Sequence, residues 1–445
     1  MSRKILLIML WLVCVISVNA QQISKKMVHK FDRSARQELI DKWYPLALDR
    51  DYGGYYSDIT YNFNIGKHHD KMIVTQSRQV WVNSKAYADH GKEKYLNYAE
   101  HGFQFLKTKM WDKEFGGFYN LVSREGNPIP QPNEAKTAYG NAFAIYALAA
   151  YYEASGNIEA LQLAQKTFQW LEKHSHDPKY KGYFQHMERE GMPIERSEKN
   201  PSTSDVGYKD QNSSIHLLEA FTELYKVSPN PLLKERLTEL FLLIRDTIIN
   251  KDHYMNLFFE PDWTPVSFKK NSREYIAQHY YLDHVSFGHD VETAYLLLEA
   301  SKVLKRDDLE KTWTTGKKMV DHSLRNGWDI EKGGFYDGGY YFESSDSLEV
   351  VNLDKNWWAQ AEGLNTLLLM AQKYPDDPMN YYGYFEKLWD YTNKYIMDDR
   401  YGGWYEWGLD TRPETKDDLK GHIWKTTYHN FRALINCRDQ LKNFE

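Results

Sequence analysis

The chain has 445 residues, of which 42% are hydrophobic and 15% aromatic, and its formal net charge is −6 at pH 7. This length and apolar content allow a large core, in one domain or in several. A mildly acidic balance argues against nucleic acid as a partner, because binding to phosphates depends on an excess of Lys and Arg. The high aromatic share suits both a large core and stacking on carbohydrate.

The first 20 residues have the pattern of a secretory signal peptide. Arg3 and Lys4 form a short basic region, residues 5–18 are apolar, and Ala20 ends a small-residue cleavage site. Cleavage after Ala20 predicts a secreted or periplasmic protein that has no membrane association once the signal is removed. Of the two cysteines only Cys437 would remain, so no internal disulfide is expected.

A motif of two glycines and two aromatic residues, usually preceded by Asp, recurs along the rest of the chain. It returns at intervals of about 65 residues. Recognisable copies contain Gly54, Gly117, Gly182, Gly334 and Gly403, and we place a degenerate copy at residues 256–260. Each copy predicts a tight turn flanked by short paired strands, since Gly adopts positive φ and aromatic residues favour strands. The sequence therefore contains six units.

Between the copies the apolar residues have helical spacing, which predicts two sets of six helices. One set precedes the motifs, at residues 28–46, 93–110, 157–174, 231–250, 308–326 and 378–397. The other set follows them, with starts near residues 77, 136, 211, 287, 355 and 422. This alternation predicts an all-α fold, an (α/α)6 barrel with short β-hairpins in its loops, as a single catalytic domain over residues 21–445. An open superhelical array is the alternative.

Long loops separate several of these elements. They lie at residues 54–76, 117–136, 182–210 and 259–286. Long loops in a compact domain are often functional. The last one is rich in Lys, Arg and Tyr, and we expect it to form a lid.

Unusual polar and aromatic residues cluster at the predicted starts of the second set of helices. In a closed barrel these starts meet at one end, so residues distant in sequence would line one pocket. A single histidine or tryptophan at such a position is more often structural, but three histidines at equivalent positions favour a site. The candidates are Arg78, Tyr139, Asn141, Asn212, His216, His289, Glu292, Trp357, Trp358, Glu362, Trp424 and His429.

Other common sites are not indicated. The pairs His216/Glu219 and His289/Glu292 have the reverse order of the Glu-x-x-His pairs in di-iron bundles. The sequence contains no HExxH, CxxC, Walker, Rossmann or GxSxG pattern. We therefore expect neither a bound metal nor a nucleotide cofactor.

Four segments resemble the N-acylglucosamine 2-epimerase superfamily, and within it the cellobiose 2-epimerases most closely. They are Ser286–Glu292, His216–Tyr225, Trp357–Glu362 and Trp424–Arg432, and Arg78–Trp81 is a weaker match. The resemblance implies an (α/α)6 barrel. It also implies reversible epimerisation at C2 of the reducing-end sugar of a β-1,4-linked disaccharide, without a redox cofactor or a metal.

The resemblance also suggests roles for individual residues. His289 and His429 correspond to two acid/base groups, and His216 to a residue that assists ring opening. Glu292 would orient a catalytic histidine, and Arg78 would bind near O1 and O2. Substrate contacts are implied for Trp358, Trp424 and Asn212, and Tyr139, Asn141, Trp357 and Glu362 complete the predicted binding set.

The sequence departs from the family at several points. Residues 211–216 read Gln-Asn-Ser-Ser-Ile-His where the family usually has Met-Asn-Thr-His-Leu-His. Tyr295 replaces a tryptophan, and Thr426 and Thr427 replace Gly-Pro. The three histidines of the implied site are retained, so the chemistry is better indicated than the identity of the sugar.

Three other functions stay open at this stage. An aldose–ketose isomerase of the mannose type would share the same groups, because reprotonation at C1 instead of C2 gives a ketose. A glycoside hydrolase on the same barrel would need two opposed carboxylates, from among Asp290, Glu292 and Glu362. A non-catalytic glycan-binding protein would need neither. Each predicts a small-molecule sugar or glycan partner, and the oligomeric state, monomer or homodimer, is left open.

Overall fold

The computed structural model describes residues 25–129, 135–194, 209–343, 345 and 347–442. The predicted signal peptide lies outside the described residues, as do parts of the loops at 117–136 and 182–210. Within these ranges, no helix combines the length and the apolar content needed to cross a membrane.

Six helices form a closed inner ring. They are Ile73–His90, Ala138–Ser155, Gln211–Val227, Phe287–Val303, Trp357–Lys373 and Tyr428–Lys442. Each packs against the next, and Tyr428–Lys442 packs against Ile73–His90. The inner helices are buried on nearly all sides, as their apolar composition requires. The closed ring confirms the predicted all-α barrel and excludes the open array.

Six further helical segments surround this ring. They are residues 25–43, Glu93–Phe105, Ile158–His174, Pro231–Leu243, Leu309–Asn326 and Tyr381–Tyr391. Each buries one face: in Ile158–His174 the buried positions include Ala160, Ala164, Phe168 and Leu171, spaced by three or four residues. The segment 25–43 packs against Tyr428–Lys442, and the other five pack against the inner helix that precedes them.

Two inner helices begin at residues other than those predicted. The first inner helix begins at Ile73 rather than near residue 77, directly after the short strand Lys71–Met72. The last begins at Tyr428 rather than near residue 422, because His422 and Lys425 pair with each other in a tight turn.

Short antiparallel strands join neighbouring units at one end of the barrel. Lys71–Met72 pairs with Leu121–Val122, Lys136–Thr137 with His186–Met187, and Lys209–Asp210 with Phe258–Phe259. A three-stranded sheet contains Val285–Ser286, Gly338–Tyr340 and Glu349–Asn352. In every case the strand directly before an inner helix pairs with a segment after the next glycine motif, so this end of each inner helix is fixed to its neighbour.

The glycine motifs form six equivalent turns. Each is closed by one bridging residue pair, for example Leu48 with Tyr55 and Trp328 with Phe335. In the fourth unit the pair is Ile249 with Met255, so the degenerate copy lies here and not at residues 256–260. His253 takes the positive φ of 70° that glycine adopts in most other copies, which explains why the sequence pattern is lost.

Five of the six turns contain a buried Lys–Asp pair. The pairs are Lys71–Asp49, Lys136–Asp112, Lys209–Asp177, Lys355–Asp329 and Lys420–Asp398, with N···O distances of 2.7 to 3.0 Å. One oxygen of each aspartate accepts from the lysine, and the other accepts two backbone N–H groups of the turn. The lysine comes from the segment before the following inner helix. Each pair therefore joins a turn to the start of an inner helix.

The long 259–286 loop contains the helix Arg273–His279 and packs on the neighbouring hairpin. Lys269 lies over the rings of Tyr254 and Tyr341, and Arg273 forms an ion pair with Glu349 at 2.8 Å. The expected role of this loop as a lid stays a prediction.

Candidate active site

A cavity of about 200 Å3 opens at the end of the barrel where the inner helices begin. Its lining comes from six different chain segments that the closed ring brings together. The lining residues are Arg78, Tyr139, Asn212, His216, His289, Glu292, Trp357, Trp358, Trp424 and His429. All of them belong to the set predicted from the sequence.

Most of these side chains lie in the first two turns of an inner helix. Tyr139, Asn212, Trp358 and His429 each occupy the second position of their helix. Because strand pairing fixes the helix starts side by side, these first-turn side chains converge on one space. Trp424 precedes the last inner helix and is 53% exposed, so it forms the outer wall of the cavity.

The three histidines share one arrangement, in which Nδ1 is held by a neighbouring oxygen. His216 Nδ1 lies 2.9 Å from Glu219 Oε2, and His429 Nδ1 lies 2.8 Å from Glu362 Oε1. His289 Nδ1 lies 2.7 Å from the hydroxyl of Ser286. In each ring Nε2 is therefore the nitrogen that is available to a ligand in the cavity. Fixed imidazoles with one available nitrogen are suited to general acid–base catalysis.

Trp358 contacts two of these histidines. Its ring centroid is 4.6 Å from that of His289 and 5.9 Å from that of His429. A flat apolar surface in contact with two imidazoles can hold a sugar ring within reach of both. The sequence-based pairing of His289 and His429 as partners in one site is consistent with this geometry.

Arg78 forms another wall of the cavity. Its Nη2 donates to the Tyr139 hydroxyl at 2.9 Å, and its Nη1 donates to the Trp424 backbone carbonyl at 3.3 Å. The guanidinium also stacks over Phe143 and Tyr428, at 4.4 and 5.0 Å from the ring centroids. These contacts fix a positive charge beside the cavity, where it can stabilise a developing oxyanion.

Behind the histidines lies a fully buried group of charges centred on Arg432. Its Nη2 donates to Glu292 at 2.6 Å and to Glu362 at 2.7 Å, and its Nη1 donates to Glu219. Glu219 also accepts from the Tyr428 hydroxyl at 2.5 Å. A single guanidinium therefore binds the carboxylates that hold His216 and His429.

Burial dominates the electrostatics of the site. It raises the pKa of Glu292 to about 7, with help from the nearby Glu362. Burial would also raise the pKa of Glu219, but Arg432 and His216 lower it to about 2. The pKa of His289 falls to about 3 because of burial and, to a smaller extent, of His216 and His284.

Burial, together with Arg78 and Arg432, also holds the pKa of His429 well below its ordinary value. Burial therefore favours the neutral form of both His289 and His429, which is the form in which an imidazole accepts a proton.

One group of potential metal ligands lies within the site. Oxygens of Glu292 and Glu362 and a nitrogen of His429 lie within 4.8 Å of one another. Arg432 already donates to both carboxylates, so a cation of the protein occupies the place that a metal ion would take. The donor set therefore does not fit a metal ion.

The structure corrects two of the predicted substrate contacts and adds detail to a third assignment. Glu292 binds Arg432 and lies 3.9 Å from His429 Nδ1, so the histidine that it can orient is His429, whereas Ser286 holds His289. Among the described residues, Asn141 and Glu362 lie outside the cavity lining. Asn141 is fully buried and accepts from the Phe118 backbone N–H, fixing a glycine-motif turn rather than binding substrate. Glu362 lies behind His429 and holds that ring.

Sequence reasoning assigned no role in the site to Ser286, Glu219 or Arg432. Signals for two of them were present. Glu219 is three residues after His216, and Arg432 ends the segment that contains His429. Helical spacing places such pairs on one face of a helix.

Comparisons with known proteins agree with the family resemblance found in the sequence. The family model of N-acylglucosamine 2-epimerase matches residues 54–433. A cellobiose 2-epimerase of Ruminococcus albus is 32% identical over 409 residues, which cover 90% of this chain and 96% of that protein. The D-mannose isomerase of Marinomonas mediterranea is 24% identical over 407 residues, which cover 90% and 93%.

Comparison with solved structures gives the same family. The cellobiose 2-epimerase of Bacillus thermoamylovorans superposes with a TM-score of 0.80 at 26% identity, covering 93% of this chain and 99% of that one. The family match spans most of the chain, and the relatives are sugar epimerases and isomerases, so the protein is an enzyme of the isomerase class. The chain belongs to the N-acylglucosamine 2-epimerase family.

Proposed function

We propose that this enzyme reversibly inverts C2 of the reducing-end sugar of a β-1,4-linked disaccharide. It would convert cellobiose to glucosyl-mannose, or mannobiose to mannosyl-glucose. The observation that carries the proposal is the pair His289 and His429, each held at Nδ1 and bordering the Trp358 ring. The Ruminococcus albus relative, named a cellobiose 2-epimerase, supports the choice of substrate.

The reaction begins once the sugar ring has opened, a step that His216 would assist at the ring oxygen. The C1 carbonyl acidifies the proton on C2. Nε2 of one histidine takes that proton, and the C2–H electron pair forms a C1–C2 double bond while negative charge develops on O1. Arg78 would stabilise this enediolate. The other histidine must enter this step as an imidazolium, having taken a proton from solvent at Nε2; it gives that proton to C2 from the opposite face, and C2 is inverted.

Aldose–ketose isomerisation is the second candidate. If the enediolate is protonated at C1 instead of C2, the product is a ketose, and the same residues serve both outcomes. The similarity to a relative named D-mannose isomerase favours keeping this alternative.

Proton NMR of the purified enzyme with cellobiose and with mannobiose in deuterated water tests both candidates. Loss of the C2 proton signal together with the appearance of the epimer is the expected result. Ketose signals would replace the epimerase proposal by the isomerase. Cleaved sugars would indicate a hydrolase, and unchanged spectra would reject both disaccharides. The variants His289→Gln and His429→Gln should abolish the exchange.

We also propose that the protein is exported and cleaved after Ala20, on the basis of the N-terminal sequence alone. Mass spectrometry of the protein recovered from the periplasm or the medium should find an N-terminus at Gln21. An intact N-terminus in the cytoplasmic fraction would contradict this.

A further inference from the structure

Ser286 occupies the N-cap position of the inner helix Phe287–Val303. At this position a Ser, Thr, Asp or Asn side chain normally accepts from a backbone N–H of the first turn. Three sister helices of the barrel follow that rule, with the acceptor always three residues before the donor. The pairs are Thr137 with Gly140, Asp210 with Ser213 and Asn356 with Ala359.

Ser286 departs from its three equivalents. In the described helix Phe287–Val303 its side chain makes no cap to the backbone. The hydroxyl bonds instead to the side chain three residues ahead, at 2.7 Å from His289 Nδ1. A cap of this kind stabilises the start of a helix. This helix forgoes that stabilisation and uses its N-cap side chain to hold a histidine of the cavity.

The partner of His289 also differs in charge from those of the other two histidines. His216 and His429 are held by carboxylates, whereas His289 is held by a neutral hydroxyl. A carboxylate beside Nδ1 favours the imidazolium, and a hydroxyl gives little such support. The other titratable groups that act on His289 are His216 and His284, which also disfavour its protonated form. His289 is therefore kept neutral until the reaction delivers a proton to it.

We propose that Ser286 is a positioning residue for catalysis: its Oγ accepts the Nδ1–H of His289 and so leaves Nε2 bare and directed at the substrate. This inference rests on the proposed function. When C2–H breaks, the proton joins Nε2 while Nδ1 keeps its own proton. The hydrogen bond to Ser286 persists in the imidazolium. Without it, His289 would divide between two tautomers and two ring orientations, and only part of the enzyme would be ready to react.

The test compares Ser286→Ala and Ser286→Thr with the matched cap variant Thr137→Ala. Thr137 is the equivalent N-cap residue on a sister helix, and its side chain accepts from the Gly140 backbone N–H. Ser286→Ala should lower kcat about tenfold, as expected for losing one hydrogen bond of about 1.4 kcal/mol, with KM and Tm nearly unchanged. Ser286→Thr retains a hydroxyl and should recover most of the activity. Thr137→Ala should give the opposite result, a lower Tm with kcat unchanged.

A second measurement does not depend on turnover. Nitrogen-15 NMR of the imidazoles, with the His289 signal assigned through His289→Gln, reports which ring nitrogen carries the proton. The wild type should show the Nδ1–H form, and Ser286→Ala should show a mixture of tautomers. An unchanged tautomer in Ser286→Ala, or an Nε2–H form in the wild type, would overturn the inference.

These experiments distinguish a failure of the positioning role of Ser286 from a failure of the proposed function. If the wild type exchanges the C2 hydrogen but Ser286→Ala matches it in kcat, the positioning role is wrong and the proposed function stands. If the wild type does not exchange that hydrogen, the proposed function falls, and the catalytic role of Ser286 falls with it.

Discussion

Replacing Glu362 with glutamine removes the negative charge beside His429 and keeps the volume of the side chain. Glu362 Oε1 accepts from both His429 Nδ1 and Arg432 Nη2, at 2.8 and 2.7 Å. The amide oxygen of glutamine can still accept both bonds. What is lost is the difference between a charged and a neutral hydrogen bond to the imidazolium that forms during turnover.

That difference sets the expected size of the effect. Hydrogen bonds to charged groups contribute about 1.5 to 3 kcal/mol, and neutral ones about 0.5 to 1.5 kcal/mol. A loss of about 1 to 1.5 kcal/mol corresponds to a decrease in kcat of about 5- to 10-fold. KM should change little, because Glu362 lies outside the cavity lining and does not face the substrate.

The assay is the rate of C2 inversion of the disaccharide that proves active, followed by NMR for wild type, Glu362→Gln and Glu299→Gln. Glu299 is a matched control on another inner helix: its side chain is 37% exposed and its ion pair with Lys226 spans 3.7 Å. Glu299→Gln should behave as the wild type. A Glu362→Gln enzyme with kcat within twofold of the wild type would refute the idea that the carboxylate stabilises the His429 imidazolium.

Three further predictions follow from the buried charges and the cavity wall. Burial raises the pKa of Glu292 from 4.5 to about 7. This shift contributes about 3 kcal/mol to the free energy of unfolding below pH 4.5, and the contribution is lost as the pH rises to about 7. The Tm of Glu292→Gln should therefore improve relative to the wild type across that window; a constant difference would contradict the raised pKa. Lys420→Met should cost about 3 to 5 kcal/mol in urea unfolding by leaving Asp398 buried and unpaired, and the double variant with Asp398→Asn should be more stable than the single one; equal stabilities would refute this account. Trp424→Ala should raise the KM for disaccharide about tenfold with kcat retained, as expected for losing about 1.4 kcal/mol of stacking; a fall in kcat alone would place Trp424 in the chemistry.

The barrel could be predicted because the sequence patterns that specify it are local and repeated. The spacing of apolar residues gives each helix, and the recurring glycine turn gives the number of units. From these two facts the convergence of the inner-helix starts follows, and with it most of the cavity lining. The degenerate fourth turn was misplaced because His253 adopts positive φ there without glycine.

The hydrogen-bond partners of the three cavity histidines could not be predicted in the same way. Ser286 and Glu292 are each three residues from His289, so helical geometry allows either to hold it. The choice is made by Arg432, from an inner helix far along the chain, which binds Glu292 and leaves His289 to Ser286. The prediction that Asn141 binds substrate failed for a related reason. Asn141 is two residues from Tyr139, and that spacing places it on the opposite side of the helix, away from the cavity.

The buried Lys–Asp pairs have a consequence for redesign of this enzyme. The fourth unit has Asn250 and Val285 where the other units have aspartate and lysine. The loop that leads into its inner helix is the long 259–286 segment. It forms an exposed ion pair between Arg273 and Glu349, and it also buries Trp263, Ile276 and Leu282. Exchanging that loop would separate none of the buried Lys–Asp pairs, whereas an exchange in another unit that removed its lysine would leave the aspartate buried without its partner. The loop before Ser286 and His289 is thus the one that can be exchanged without separating a buried Lys–Asp pair.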